Sequence, residues 1–253
     1  MKIVITNDDG IEAEGLKKLV KRLSAVEEVY VVAPDKKLAG IGGSLTFNRP
    51  IRVENYPLSL GEKKSFRVFG TPADCVVLAL DVLVKDFKLL ISGINDEPNV
   101  GDDIRFSGTL GACKEAAFSG IASFGISIEF GEGKNVFDGA VEFSALLVDF
   151  LKKNHLPEGV FLNVNVPNVK LKKIRGVKLV KLGRRQYSNR VHKVASPYGE
   201  EYYWIGGKLI TDFEKNTENS SLKENFIAIT PMKVDITNYD FLEVMKKWKI
   251  KFP

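Results

Sequence analysis

Apolar and polar positions along the first two-thirds of the chain follow two alternating patterns. Short, nearly continuous apolar runs predict buried strands at residues 2–6, 29–33, 66–69, 88–92, 124–130 and 160–166. Between them, apolar residues spaced three or four positions apart predict helices over residues 11–23, 71–84, 108–119 and 137–153. Alternation of strands and helices is typical of a mainly parallel sheet that is covered by helices on both faces. We therefore expect an α/β fold.

The pattern changes after about residue 168. Alternating apolar and polar positions occur at residues 176–182 and within 198–209, a strand is predicted over 226–230 with its end at Pro231, and a terminal helix over 239–247. We therefore expect residues 1–168 to form the α/β core and residues 169–253 to form a hairpin-rich C-terminal arm that completes the same domain. Arms of this kind often make subunit contacts, so a homo-oligomer is expected.

Composition limits the class of protein and its compartment. The chain has 253 residues, of which 44% are apolar and 27% charged, as in ordinary soluble globular proteins. Two cysteines cannot form a disulfide framework, which favours a reducing compartment, and two histidines argue against a histidine-rich zinc site. The N-terminus has no signal-peptide core, and no apolar stretch reaches the roughly 20 residues of a membrane span. We expect a cytoplasmic protein with no membrane partner.

The net charge of +5 is concentrated in one segment. Residues 170–193, here called the basic segment, contain ten Lys and Arg residues and no Asp or Glu, so the rest of the chain has 27 basic and 32 acidic residues, a balance of −5. The segment is either an exposed basic edge that discourages aggregation or a means of steering an anionic ligand such as a phosphate compound. Tyr187 alone interleaves these charges with an aromatic ring, so nucleic acid is not expected as a partner.

Polar and glycine-rich loops follow three of the predicted strands. These are Asn7-Asp8-Asp9-Gly10, the segment 39–44 with Gly40, Gly42 and Gly43, and a loop that runs from Asn95 through Asn99 to Ser107-Gly108-Thr109 at a helix start. Ligands of open parallel sheets bind at the carboxyl ends of the strands, so these loops should meet at one rim. The sequence therefore predicts a ligand site there.

The adjacent carboxylates of Asp8 and Asp9 are the first candidates for chemistry. Two like charges side by side are costly without a cation, and carboxylate and amide oxygens favour hard cations such as Mg²⁺, Mn²⁺ or Ca²⁺. Alternatively, one Asp caps the helix that begins near Ile11 and the other is solvated. We expect the metal site, because the pair directly follows a short buried strand.

Other polar residues of these loops also have structural alternatives. The helix start at Ser107-Gly108-Thr109 could bind an anion through its N–H groups and hydroxyls, or its Ser or Thr could simply cap the helix. Asn95 and Asn99 belong to a residue type that is common in turns. Thr71 and Asp74 are expected to cap a helix and not to act in catalysis.

Several motifs of the chain occur together in one known family. They are residues 4–11 (VITNDDGI), 32–35 (VAPD), 70–75 (GTPADC), 92–95 (SGIN), 98–101 (PNVG), 107–109 (SGT) and 162–167 (LNVNVP). With these motifs the chain resembles the SurE (survival protein E) family, metal-dependent 5′-nucleotidases, over essentially its whole length.

This resemblance has implications for fold, site and substrate. It implies a Rossmann-like, three-layer α/β fold with a mainly parallel sheet and a C-terminal β-hairpin arm that mediates a homodimer or homotetramer. It implies that Asp8, Asp9 and Asn95 ligate one divalent cation per subunit, Mg²⁺ or Mn²⁺, and that Asp8 and Asp9 are catalytic. The implied phosphate-binding residues are Asn95, Asn99, Ser107, Gly108 and Thr109. The implied substrate is a nucleoside 5′-monophosphate.

The chain departs from the family pattern near the expected site. Ala39 stands where the family usually has a Ser that ligates the metal, Gly43 where it has His, and Glu97 where it has Gly. Ala39 offers no side-chain donor, so a water would replace that ligand, which Mg²⁺ tolerates. Two functions are therefore predicted as alternatives. One is hydrolysis of nucleoside 5′-monophosphates to nucleoside and phosphate, and the other is a degenerate relative that binds a nucleotide or other phosphorylated ligand with little or no hydrolysis.

Overall fold

The computed structural model describes residues 1–131, 133, 135–210, 214–248 and 250 of the chain. Within the predicted arm, 169–253, residues 211–213, 249 and 251–253 lie outside the described residues. The strands are β1 Lys2–Thr6, β2 Glu28–Pro34, β3 Val53–Asn55, β4 Lys64–Val68, β5 Leu89–Asn95, β6 Ala122–Ile128, β7 Val160–Val166, β8 Gly176–Leu179, β9 Tyr187–Ser188, β10 Val191–Ala195, β11 Glu201–Ile205, β12 Lys208–Leu209 and β13 Phe226–Lys233. The α-helices are α1 Glu14–Ser24, α2 Pro72–Leu78, α3 Gly108–Phe118, α4 Asp138–Leu151, α5 Glu218–Lys223 and α6 Tyr239–Met245. Shorter helical segments lie at Ala79–Leu83, Gly101–Phe106, Leu171–Lys173 and Lys246–Trp248.

The central sheet has the strand order β3-β4-β2-β1-β5-β6-β7-β13-β8. The six strands from β4 to β7 are parallel to one another. β3 pairs antiparallel with β4 at one edge, and β13 pairs antiparallel with β7 towards the other. The predicted mainly parallel sheet is therefore confirmed, and the carboxyl ends of β1, β2 and β5 lie along the same edge of it.

Helices cover both faces of this sheet. On one face α1 and α4 pack in a core that contains Leu16 and Ile5. On the other face α2 and α3 pack in a core that contains Val76 and Val4. Neighbouring residues of β1 thus point into opposite cores, as the period of a strand requires, and the predicted three layers are confirmed. None of the described helices combines the length and the apolarity that crossing a membrane requires.

Local sequence explains where two helices begin. Thr71 caps α2, because its Oγ1 accepts the N–H of Asp74 (3.1 Å) while Asp74 Oδ2 accepts the N–H of Thr71 (2.8 Å). This confirms the predicted capping role of both residues. α1 begins at Glu14, later than predicted, because the N–H of Ile11 donates to the carbonyl of Pro34 (2.8 Å) and ties this residue to the end of β2.

The C-terminal segment contributes β8 and β13 to the central sheet. β13 continues to Lys233 through Pro231, so the prediction that this strand ends at the proline was wrong. The reason is that β8 pairs with β13 only as far as Ile229, so beyond this residue β7 is the one strand beside β13 among the described residues. A proline is tolerated on such a stretch because no second ladder needs its N–H.

Two hairpins extend from the same segment. β10 pairs antiparallel with β11, and β9 pairs antiparallel with β12. This confirms the hairpin-rich pattern that the sequence predicted. The residues of β10 and β11 are exposed, including Tyr202, Tyr203, Trp204 and Ile205. The β10–β11 hairpin therefore presents an apolar surface that no other described part of the chain covers.

Candidate active site

A cavity of about 270 Å³ opens at the carboxyl ends of β1, β2 and β5. It is lined by Asp8, Asp9, Lys37, Ala39, Gly40, Asn95, Glu97, Pro98, Asn99, Asp103, Phe106, Ser107, Phe130, Arg185 and Tyr187. The structure thus brings together Asp8, Asp9, Asn95, Asn99 and Ser107 of the predicted site. The other two predicted residues, Gly108 and Thr109, are buried against Asp8.

Thr109 binds both carboxylate oxygens of Asp8. The Thr109 hydroxyl donates to Asp8 Oδ1 (2.6 Å), and the Thr109 N–H donates to Asp8 Oδ2 (3.1 Å). Burial raises the pKa of Asp8 above its ordinary value, although the two bonds from Thr109 act in the opposite direction. Asp8 therefore satisfies an N–H group at the start of α3. Asp8 therefore does not cap the helix near Ile11, which was the alternative role for an Asp of this pair.

Gly108 permits the close approach of Asp8 to α3. A Cβ added at Gly108 would lie 2.8 Å from Asp8 Cβ and 2.9 Å from Ile41 Cγ2, well inside ordinary carbon–carbon contact. Ser107 caps α3 by accepting the N–H of Leu110 through its Oγ (3.0 Å). Its hydroxyl hydrogen is still free to donate to another acceptor. Backbone N–H groups in the first turn of α3 therefore have their hydrogen-bond partners within the protein.

Asp9 is paired with a lysine of the loop after β2. The ammonium of Lys37 lies 2.8 Å from Asp9 Oδ1 and 2.7 Å from Asp96 Oδ1. Asp9 Oδ2 accepts the N–H of Asp96 (3.3 Å), whereas Oδ1 is buried and receives no hydrogen bond of normal geometry from the described residues. Burial raises the pKa of Asp9 to about 6. The cation that the adjacent carboxylates need is thus already supplied by Lys37.

Asn95 and Ala39 lie at the same cavity as the two carboxylates. Asn95 Nδ2 donates to the carbonyl oxygen of Glu97 (2.5 Å). Its Oδ1 accepts no hydrogen bond from the described part of the chain, so this oxygen is available as a ligand. Ala39 lines the cavity without a donor atom in its side chain.

This donor set fits a hard divalent cation. Among the described residues no group of three or more His, Cys, Asp or Glu side chains is placed to hold a metal ion, so a cation here would depend on Asp8, Asp9 and the amide oxygen of Asn95. Carboxylate oxygens have several lone pairs, so the bonds from Thr109 leave Asp8 able to ligate. Asp9 Oδ1, which contacts the Lys37 ammonium but receives no hydrogen bond of normal geometry from the described residues, has lone pairs for a second ligand bond. Waters would complete the shell, as they commonly do around Mg²⁺.

A buried network of amides fixes Asn99. The N–H of Asn99 donates to Asn165 Oδ1 (2.8 Å), and its carbonyl accepts from Nδ2 of Asn163 and of Asn165 (2.9 Å each). Asn99 Nδ2 donates to Ser127 Oγ (2.7 Å), which leaves its second amide hydrogen for another acceptor. Asn163 and Asn165 lie in β7, so a strand remote in sequence positions this cavity residue.

Aromatic and charged side chains from other parts of the chain also line the cavity. The Arg185 Nε lies 3.2 Å from Asp103 Oδ2, and the Tyr187 hydroxyl donates to the same carboxylate. The Arg185 guanidinium lies 5.8 Å from the ring centre of Phe130 and 5.8 Å from that of Tyr187. Phe106 adds a further ring to the lining. The basic segment therefore reaches the cavity with a guanidinium and a phenol.

Buried Glu218 joins the loop after Asn99 to the basic segment. One of its carboxylate oxygens accepts the N–H of Gly101, and the other accepts the N–H of Gly183 (2.8 Å). Burial raises the pKa of Glu218 above its ordinary value. This carboxylate therefore holds two cavity-forming segments in a fixed relation to each other.

Several cavity residues were not singled out by sequence reasoning, and two of them, Lys37 and Arg185, carry positive charge. Lys37 lies in the loop after β2, and Arg185 lies in the basic segment beside Tyr187. Lys37 could have been found as a basic residue in a loop expected to approach an acidic pair. Arg185 could have been found from the aromatic residue near it in the basic segment. Among the described residues, five of the ten cations in the basic segment form ion pairs, namely Lys178–Glu224, Lys181–Glu214, Arg184–Asp102, Arg185–Asp103 and Lys193–Glu201.

Comparisons with known proteins cover most of the chain, and those with individual relatives cover nearly all of it. The family model described as Survival protein SurE matches residues 3–189. The chain is 38% identical to the 5′-nucleotidase SurE of Natranaerobius thermophilus, over 98% of this chain and 99% of that protein. It is 39% identical to the 5′-nucleotidase SurE of Moorella thermoacetica, over 95% of this chain and 93% of that protein. The crystal structure of the SurE protein from Aquifex aeolicus matches with a TM-score of 0.86 and 34% sequence identity, covering 99% of this chain and 100% of that one. The chain therefore belongs to the SurE family.

Proposed function

We propose that this protein is a divalent-metal-dependent 5′-nucleotidase, which hydrolyses nucleoside 5′-monophosphates to a nucleoside and phosphate. The observation that carries the proposal is the grouping of Asp8, Asp9 and Asn95 at one cavity beside the carboxyl ends of the strands. Relatives named 5′-nucleotidase SurE, aligned over nearly their full length, support the same reaction. They favour hydrolysis over the alternative in which a phosphorylated ligand is bound and not cleaved.

In this proposal Asp8, Asp9 and Asn95 hold one Mg²⁺ or Mn²⁺ per subunit through two carboxylates and an amide oxygen. When bound, such a cation polarises the phosphoryl group and stabilises the charge that develops on its oxygens. Thr109 holds Asp8 through two hydrogen bonds, so this ligand is oriented before the cation arrives. Asp9 orients the attacking water or accepts its proton.

The five predicted phosphate-binding residues have different contributions in the proposal. Asn99 and Ser107 line the cavity, and each retains a hydrogen after its internal bond, so these two donate to phosphate oxygens. Gly108 and Thr109 act indirectly by admitting and holding Asp8. Asn95 contributes as a metal ligand next to the phosphate.

The nucleoside would lie against the aromatic lining of the cavity. Phe106 and Phe130 are both partly exposed there, and Tyr187 and Arg185 lie beside them. Stacking of a base on an aromatic side chain is worth about 1–3 kcal/mol. These rings therefore supply a surface that a nucleotide would use and a simple phosphate ester would not.

Phosphate release from AMP, GMP and CMP tests the proposal. We expect turnover with Mg²⁺ or Mn²⁺ that EDTA abolishes, and a loss of about 100-fold or more in Asp9→Asn. Asp81→Asn, which changes an exposed aspartate outside the cavity, is the matched control and should keep full activity. Saturable AMP binding without turnover, with either metal and with correctly folded protein, would instead favour the binding-only alternative.

Assembly and compartment also stay predictions. The exposed apolar hairpin β10–β11 supports a homodimer or homotetramer, because an uncovered apolar surface of this kind is typical of a subunit contact. Sedimentation that shows a stable monomer at micromolar concentration would contradict it. Cys75 and Cys113 are buried free thiols, which is consistent with a reducing, cytoplasmic compartment.

A further inference from the structure

Lys37 places a positive charge directly on one of the two carboxylates expected to hold the metal. Its ammonium bridges Asp9 Oδ1 and Asp96 Oδ1 at 2.8 and 2.7 Å. The Asp9 side chain is only 7% exposed, whereas that of Asp96 is 38% exposed. The lysine therefore joins a buried carboxylate of the cavity to a carboxylate that is open to solvent.

The charges around the cavity leave Lys37 as the cation next to the Asp8–Asp9 pair. The described lining contains the carboxylates of Asp8, Asp9, Glu97 and Asp103 and the cations Lys37 and Arg185. Arg185 is paired with Asp103. In the absence of metal, Lys37 is thus what offsets the repulsion between the adjacent carboxylates.

We infer that Lys37 competes with the divalent cation for Asp9, so that metal binding requires the ammonium to withdraw from Asp9 towards Asp96. The inference rests on the proposed function, because it takes Asp9 as a metal ligand. A cation bound through Asp9 Oδ1 would displace the ammonium directly. A cation bound through Oδ2 would lie a few ångströms from it and be repelled. Lys37 lowers the affinity for metal in both cases.

Lys37 can leave Asp9 and still keep a charged partner. Its side chain is 46% exposed, and a lysine stem has several rotatable bonds. When the contact with Asp9 is lost, the bond to Asp96 can remain, so the ammonium keeps a partner at the edge of the cavity. The exchange therefore needs a rotation of one side chain and no unpaired buried charge.

Calorimetric titration of Mn²⁺ into the metal-stripped full chain tests this competition. Lys37→Met removes the charge and keeps the length of the side chain, while Lys37→Arg keeps the charge. Lys36→Met is the matched control, because the neighbouring lysine does not line the cavity and has no ion pair among the described residues. We expect Lys37→Met to bind Mn²⁺ about tenfold more tightly than the natural chain. The two other variants should stay within about twofold of the natural chain, since neither loses the charge beside Asp9.

The possible results separate this inference from the proposed metal site. Equal or weaker Mn²⁺ binding by Lys37→Met, with the natural chain binding normally, overturns the competition and leaves the site intact. No heat of binding in any of the proteins overturns the metal site and the competition together. If Lys37→Met does not fold, as judged by its circular dichroism, Lys37→Gln takes its place with the same expected result.

Discussion

The hydroxyl of Thr109 donates to Asp8 Oδ1 across 2.6 Å, while the backbone N–H of the same residue donates to Asp8 Oδ2 across 3.1 Å. This pair joins the start of α3 to the carboxyl end of β1. It also leaves the Asp8 carboxylate with one orientation towards the cavity.

Thr109→Val should therefore weaken both the fold and the site. Loss of the hydroxyl bond to the charged carboxylate lowers the free energy of unfolding by about 1.5–3 kcal/mol. Asp8, then held only by the backbone N–H of residue 109, should bind metal less tightly. Urea unfolding in EDTA and Mn²⁺ titration measure the two effects. Thr109→Ser keeps the hydroxyl and should behave like the natural chain. An unchanged Mn²⁺ affinity in Thr109→Val would show that Asp8 needs no help from α3.

Gly108→Ala should disturb Asp8 by steric contact alone. The new Cβ would lie 2.8 Å from Asp8 Cβ and 2.9 Å from Ile41 Cγ2, so the carboxylate must move. AMP hydrolysis should fall by about tenfold or more, since a shift of about 1 Å in a catalytic group can cost 100-fold. Gly43→Ala is the control, because the nearest atom to its Cβ, Gly111 Cα, lies 3.8 Å away. Equal activities of the two variants would contradict the steric argument.

Ala39→Ser should strengthen the metal site. Ala39 lines the cavity with Asp8, Asp9 and Asn95 but has no donor atom, so a serine hydroxyl would replace a water. One added neutral bond is worth about 1 kcal/mol, or roughly fivefold in affinity. The measurement is the Mn²⁺ concentration that gives half-maximal AMP hydrolysis, which should fall. Ala39→Val controls for added bulk and should not lower it. If the serine variant also leaves this concentration unchanged, position 39 lies outside the coordination shell.

The parts of the fold that follow from local pattern could be predicted from the sequence. Residues 160–166 form β7 with the predicted bounds, because this short run, apolar apart from Asn163 and Asn165, lies between Gly159 and Pro167 and is too short for a typical helix. The grouping of Asp8 with Asn95 follows from topology, because Asp8 comes shortly after β1 and Asn95 is the last residue of β5, and these two strands are parallel. Pairings between distant side chains do not follow from local pattern. Nothing near Asp8 in sequence indicates Thr109, 101 positions away, as its partner.

The placement of the C-terminal segment also depended on contacts that are distant in sequence. Periodicity identified β8, β11 and β13 but not β9 or β10. Whether a strand joins the central sheet is decided by pairing, as in β13 with β7. For the same reason the pairing of Lys37 with Asp9 could not be predicted, although Lys37 stood in a loop expected to approach the two adjacent carboxylates.

Glu218 should make stability depend on pH in a defined direction. Burial raises its pKa in the folded protein above the ordinary value of 4.5, so the folded state binds the proton more tightly than the unfolded chain does. The stabilisation of the folded state that comes from this raised pKa is fully present below pH 4.5. It is lost as the pH rises through the folded pKa. The stability advantage of the natural chain over Glu218→Gln should therefore shrink as the pH rises from 4.5 to 7.5. Urea unfolding of both proteins across this interval measures it, and an advantage that grows with pH would show that the folded pKa is lowered.

Tyr187 should affect nucleotides and simple phosphate esters differently. If its ring stacks on the base, Tyr187→Leu removes an interaction of about 1–3 kcal/mol and should raise the KM for AMP about tenfold. The kcat/KM for β-glycerophosphate, which has no base, should stay within about twofold. Tyr187→Phe keeps the ring while losing the hydrogen bond to Asp103, and it should resemble the natural chain. Tyr198→Leu changes an exposed tyrosine outside the cavity and should also resemble the natural chain. A similar loss for both substrates in Tyr187→Leu would show that this residue supports the cavity as a whole and does not contact the base.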